Sequence, residues 1–171
     1  DIAKCRNGYH RFFNDWAEKD MINMLRNYRN NASVVMWSVG NEVPTQCSVE
    51  GYKVASFLQD ICHREDPTRP VTCGMDQVSC VLANGFAAML DVPGFNYRAH
   101  RYVEAYEKLP QNMVLGSETS STVSSRGVYK FPVEKKADAI YEDHQSSSYD
   151  LEYCSWSNVP DDDFALADDY E

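Results

Sequence analysis

Long apolar runs are missing from this sequence. No uninterrupted stretch in its 171 residues approaches the ~20 needed to cross a bilayer, so membrane insertion is not expected. Basic charge is also scarce. Sixteen Lys and Arg face 26 Asp and Glu, a formal charge of −10. That balance argues against a nucleic-acid partner, because phosphate recognition needs clustered cations. No GxGxxG or GxxxxGK[ST] follows an apolar stretch, which weighs against a nucleotide site. No CxxC pair occurs among Cys5, Cys47, Cys62, Cys73, Cys80 and Cys154, so a zinc knuckle is not expected and the cysteines read as free or buried thiols. The first residues, Asp1-Ile2-Ala3-Lys4, carry neither an initiator Met nor the apolar core of a secretory signal, so secretion is not legible there.

What is present suffices for a packed core. Hydrophobic residues make up 43% of the chain, too many for wholesale disorder. Six of the surplus acids sit in the last twelve residues, from Pro160 to Glu171, and read as a solvated surface. His10, His63, His100 and His144 show no ligand spacing, and no metal-binding cluster or cofactor is evident.

Periodicity gives the architecture. Phe13, Trp16, Ala17, Met21, Met24, Leu25 and Tyr28 recur at three- and four-residue steps, which predicts a helix with one buried stripe, stopped by Asn30-Asn31. Ser33 to Val39 is short, apolar and β-branched, and reads as a strand buried on both faces. A second helix carries Tyr52, Val54, Phe57, Leu58 and Ile61 and ends before Asp66-Pro67. Strands are expected at Val71 to Cys73, Val92 to Tyr97 and Asn112 to Gly116. Asn84-Gly85 interrupts any helix between Val78 and Leu90, and Pro93 weakens the third strand. A helix is expected at Arg101 to Lys108, a loop from Ser117 to Ser125, and a polar helix near Glu134 to Gln145.

Strand and helix alternating four times imply right-handed crossovers and a parallel sheet. Two closures satisfy that pattern, an open doubly wound sheet and a (β/α)8 TIM barrel. A whole barrel needs ~250 residues, so four strands amount to about half of one. Glu42 and Glu118 each follow a buried apolar strand, at the end where barrels gather their reactive groups. Each read alone is as compatible with a strand-end salt bridge. Together they lie three βα units apart, and closure of a barrel would face them across its mouth. Two carboxylates sharing one small substrate fit glycoside hydrolysis, in which one protonates the leaving oxygen and the other attacks the anomeric carbon or activates water. Asn41 and Tyr97 read by themselves as a strand-end cap and a packed aromatic, and Trp37 as a core residue.

Four segments in register carry a family resemblance. Trp37-Ser38-Val39-Gly40-Asn41-Glu42 resembles the fourth-strand motif of family 2 glycoside hydrolases. Arg26 to Val34 is similar to the approach to that strand, with Tyr28, Asn31 and Ala32 departing from it. Gly94-Phe95-Asn96-Tyr97 resembles the sixth-strand motif. Leu115-Gly116-Ser117-Glu118, followed by Ser124 to Tyr129, resembles the nucleophile segment of the bacterial β-galactosidase branch. The resemblance runs from about Phe12 to Tyr153. It implies a partial barrel, about strands 4 to 7 with their helices, occupying residues 1–171 as a single fragment. The remaining strands and flanking β-sandwich domains would lie outside it, and the fragment alone would be inactive.

The resemblance also implies roles. Glu42 would be the general acid/base, Glu118 the nucleophile, Asn41 a hydrogen-bond donor to the sugar 2-hydroxyl, and Tyr97 the phenol that orients Glu118. The expected activity is a retaining, exo-acting β-galactosidase with a carbohydrate substrate. The alternatives are a β-glucuronidase, a β-mannosidase or a non-catalytic carbohydrate-binding barrel. Family members often hold Mg²⁺ or Na⁺ near the site, and a homo-oligomer of the full-length protein is compatible with the resemblance. It favours a bacterial periplasmic or extracellular location and leaves the cytoplasm open.

Overall fold

A computed structural model describes residues 8–98 and 101–119. The expected polar helix at 134–145, the Ser124 to Tyr129 segment, the acidic tail, Cys5 and Cys154 lie outside the described residues.

A single 3-10 turn, Tyr9–Arg11, leads into α1, Phe13–Tyr28. Its buried residues are Ala17, Met21 and Leu25, a stripe of four-residue steps narrower than the sequence suggests. Trp16 and Tyr28, expected in that stripe, are about half exposed at 50% and 55%, and Lys19 caps the Trp16 ring instead.

The first strand, β1, is Trp37–Asn41, four residues later than the apolar run begins. Ser33 to Met36 stay outside the sheet. Their backbone is held by a side chain, since Arg69 donates to the carbonyls of Val34 (2.6 Å) and Asn31 (3.1 Å). Nor is β1 buried on both faces, because Ser38 is exposed.

Helix α2, Val49–Glu65, starts at Ser48, whose hydroxyl accepts from the Gly51 amide, and ends at the proline-linked Asp66. It buries Ala55, Leu58, Ile61 and Cys62. Strand β2 follows as Val71–Met75. The ambiguous stretch after it resolves into two short helices, α3 (Val78–Ala83) and α4 (Phe86–Met89). They meet at Gly85, whose φ of 83° is open to glycine and strained for other residues. Strand β3 is Val92–Asn96, α5 is Tyr102–Lys108 and β4 is Leu115–Glu118. Pro93 is accommodated because it precedes the first β3–β4 pair, Gly94 with Leu115. The fourth strand therefore starts three residues later than expected, and Glu118 is its last residue rather than part of a loop.

All pairings are parallel, in the order β1-β2-β3-β4. Each crossover advances the sheet in the same direction. A doubly wound sheet reverses at a switch point, whereas a barrel winds continuously, so this is an arc of a barrel wall.

The two faces differ in chemistry. Paired residues in a parallel ladder share a face, which places Trp37, Val71, Cys73, Met75 and Phe95 on one side. Those residues join Leu25, Leu58, Ile61, Val78, Val81, Phe86 and Ala105 in one hydrophobic cluster beneath the helices. The opposite face is mostly small or polar, carrying Ser38, Thr72, Gly74, Gly94 and Asn96 beside Val92 and Leu115. Burial drives the helix side, and the other side is left for chemistry.

Candidate active site

The C-terminal ends of the strands form a rim, and two irregularities in the ladder shape it. Between Ser38 and Asn41 the β1–β2 register gains a residue, and between Phe95 and Asn96 the β4 strand does the same, so Asn96 opposes both Ser117 and Glu118. Such bulges re-aim side chains, and here Ser117 meets Asn96 while the Glu118 side chain meets Tyr97. Ser117 Oγ donates to Asn96 Oδ1 at 2.7 Å.

Asn96 is fully buried and spans the arc. Its Nδ2 donates to Asn41 Oδ1 at 2.7 Å and to Glu42 Oε1 at 3.1 Å. The amide orientation follows from its partners, because a carboxylate oxygen only accepts and a hydroxyl supplies the proton on the other side. To reach from β3 to β1, Asn96 crosses β2 at Gly74. A Cβ there would lie 2.6 Å from Asn41 Oδ1 and 2.8 Å from Asn96 Oδ1, so only glycine leaves the passage open.

Glu42 and Tyr97 enter the rim through strained backbone. Successive strand residues point to opposite faces, so a residue following the inward Asn41 or Asn96 would turn toward the helices. Glu42 and Tyr97 instead have φ of 48° and 63°, a left-handed conformation costing about 1–2 kcal/mol in a non-glycine residue. That turn breaks the alternation and keeps both side chains on the rim. The Glu42 amide donates to the Gly74 carbonyl at 2.8 Å, and the Tyr97 amide donates to the Glu118 carbonyl. The Tyr97 phenol donates to Glu118 Oε2 at 2.6 Å. Glu42, Tyr97 and Glu118 are each half-buried.

The loop that continues from Glu42 is anchored to the next strand end. Gln46, itself buried, donates to Asp76 Oδ1 (2.7 Å) and accepts from the amides of Asp76 and Gln77. A disulfide, Cys47–Cys80, ties the same loop to α3. This corrects the expectation of free thiols for that pair. Cys62 and Cys73 are free and buried, and burial pushes each thiol up to about 12, which makes neither a nucleophile at neutral pH.

The four residues singled out in the sequence, Asn41, Glu42, Tyr97 and Glu118, thus stand on one rim. Sequence reasoning missed Asn96 as a site residue. Its signal was an Asn two positions after Gly94, in inward register at a strand end. Trp37 lies in the core, at the opposite end of β1, with its indole donating to Asp66 at 3.0 Å. Among the described residues, no group of three His, Cys, Asp or Glu is placed to hold a metal, and no helix is long and apolar enough to cross a membrane.

A continuously wound parallel arc with carboxylates at its C-terminal ends is the architecture of part of an α/β barrel. Residues 12–157 match the family description "Glycosyl hydrolases family 2, TIM barrel domain". The chain belongs to that family, and its fold is part of that barrel. It is 27% identical over 209 aligned residues to Beta-galactosidase BoGH2A of Bacteroides ovatus, covering 97% of this chain and 24% of that protein. Two crystal structures of family 2 members from Bacteroides cellulosilyticus are similar in fold. One has a TM-score of 0.63 and 31% identity, over 69% of this chain and 15% of that one. The other has a TM-score of 0.62 and 32% identity, over 67% and 16%. The chain therefore spans about a quarter of the length of the curated relative it matches.

Proposed function

We propose that this chain supplies the catalytic rim of a retaining, exo-acting β-galactosidase, as about strands 4 to 7 of a barrel whose other strands the rest of the protein contributes. The observation that carries this reading is the joint anchoring of two carboxylates by the consecutive residues Asn96 and Tyr97, one each.

Glu118 attacks the anomeric carbon while Glu42 gives its proton to the departing oxygen. A glycosyl ester forms on Glu118, and Glu42 then takes a proton from the water that hydrolyses it. Tyr97 aims the nucleophile through its phenol. Asn41, with its Oδ1 taken by Asn96, has its amide protons to give to the sugar 2-hydroxyl, a contact that tightens in the transition state. The galactoside is favoured over a glucuronide or mannoside by the similarity to the Bacteroides ovatus β-galactosidase. The Cys47–Cys80 disulfide supports an oxidising compartment, as in the bacterial periplasm or outside the cell.

The test is Glu118→Gln in the protein with its whole barrel, assayed on aryl β-galactosides, β-glucuronides and β-mannosides. Turnover on the galactoside falls by about 10⁴-fold or more while sugar binding persists. A variant that still turns over at the parent rate removes Glu118 from the mechanism, and a parent that prefers another glycoside corrects the substrate.

A further inference from the structure

Asn96 anchors Glu42 but takes no step in the two-carboxylate chemistry itself, and it is the most enclosed polar side chain on the rim. Every hydrogen-bonding direction it uses is filled by the chain itself. Ser117 Oγ donates to its Oδ1, and its Nδ2 donates to Asn41 Oδ1 and Glu42 Oε1. Complete burial separates it from solvent, so a substrate has no open face of this amide to contact. Its neighbour in the β3–β4 register is Glu118. The amide therefore touches the residue group of one carboxylate and lies beside the strand position of the other.

We propose that Asn96 is a positioning residue that holds the Glu42 carboxyl in the orientation needed to protonate the leaving oxygen. This rests on the acid/base reading of Glu42 given above. Three observations support it. Glu42 sits on strained backbone, so its direction is imposed by surrounding contacts rather than by local preference. The amide is locked from behind by the Ser117 hydroxyl, which leaves Nδ2 facing Glu42. Gly74 keeps the path between the two clear, which would be pointless for an Asn that only capped its own strand.

A donor fixed on one carboxyl oxygen presents the other oxygen to the substrate. It does so before substrate arrives, and a preset donor needs no reorganisation during the reaction. Glu118 is already served by Tyr97, so the carboxyl that Asn96 contacts directly is the acid, Glu42.

That selectivity supplies the test, made in the protein with its whole barrel. Asn96→Ser and Asn96→Asp are compared with the parent by kcat/KM on two glycosides. One has a dinitrophenyl leaving group, which departs without a proton; the other has an alkyl leaving group, which needs one. In Asn96→Ser, kcat/KM on the alkyl glycoside falls by about 10–100-fold, the range for a hydrogen bond to a charged group. On the dinitrophenyl glycoside the fall is at least several-fold smaller, because only the contact to Asn41 is lost to that reaction. Asn96→Asp preserves the shape and sets a second carboxylate beside Glu42, so the alkaline limb of the pH–rate profile moves to higher pH. Equal losses on both glycosides, or an alkaline limb that stays in place in Asn96→Asp, overturn the proposal. Trapping the parent with a 2-fluoro glycosyl fluoride and mapping the labelled peptide keeps the two readings apart. Label on Glu118 with equal losses defeats only the role of Asn96, and label elsewhere defeats the two-glutamate reading together with it.

Discussion

Asn96 and Tyr97 are adjacent in sequence, and each donates to a different glutamate, Asn96 to Glu42 at 3.1 Å and Tyr97 to Glu118 at 2.6 Å. In regular strand geometry two neighbours face opposite ways. The left-handed turn at Tyr97 brings both to the rim. Asn41-Glu42 uses the same device, an inward Asn followed by a left-handed residue. The barrel arc thus presents two copies of one backbone solution, two strands apart.

Tyr97→Phe removes one hydroxyl and keeps the ring. A hydrogen bond to a charged group contributes about 1.5–3 kcal/mol, so kcat/KM on an aryl galactoside is expected to fall by about 10–100-fold. Wild-type kinetics in this variant would leave the phenol with a packing role only.

Gly74→Ala tests the crossing between β3 and β1. The added Cβ meets Asn41 Oδ1 and Asn96 Oδ1 well inside contact distance, and both belong to buried or half-buried side chains that cannot swing away. Overpacking of this kind costs about 1–3 kcal/mol. The expected result is a lowered urea midpoint together with a loss of activity larger than the stability change alone produces. Unchanged activity at a lowered midpoint would mean that the amide chain is not needed for turnover.

Much of this was legible in the chain, and the exceptions have physical causes. Strands β2 and β3 and helix α2 fall where periodicity and turn residues put them. The start of β1 was misplaced because Ser33 to Met36 have strand-like composition while Arg69, from a later loop, takes the carbonyls of Val34 and Asn31. Glu118 read as a loop residue because the β4 bulge that extends the strand has no local signature. The left-handed turns at Glu42 and Tyr97 were invisible, since neither residue type prefers that conformation and the surrounding contacts impose it. The pairing of Cys47 with Cys80 spans 33 residues with no spacing motif to announce it.

That disulfide is expected to matter for stability. It closes a 33-residue loop that joins the Glu42 loop to α3, and cross-links of this kind contribute about 2–4 kcal/mol. Cys47→Ser with Cys80→Ser should lower the urea midpoint correspondingly. Alkylation of the folded, unreduced protein, read by peptide mass, should leave Cys62 and Cys73 unmodified until denaturant is added. Ready alkylation of Cys47 without reductant would dispose of the bridge.

The end of the sheet away from the rim carries one pH-dependent contribution to folding. Burial pushes the Asp66 carboxyl up, but hydrogen bonds from the Thr68 hydroxyl, Arg69, the Trp37 indole and the Thr68 amide outweigh it and hold the group well below the usual carboxylate range. A carboxyl whose folded value is depressed stabilises the fold above its unfolded value, about 3.9, and that contribution is lost as pH falls through the folded value. Asp66→Asn keeps the shape and removes the charge opposite Arg69, whose Nη1 lies 2.7 Å from Oδ2. Breaking a buried pair costs about 3–5 kcal/mol, so the variant should unfold at lower urea than the parent at pH 7. Between pH 4 and pH 2 the two midpoints should converge, because the parent loses by protonation what the variant already lacks. A midpoint gap that stays constant from pH 7 to pH 2 would show that Asp66 acts through shape alone.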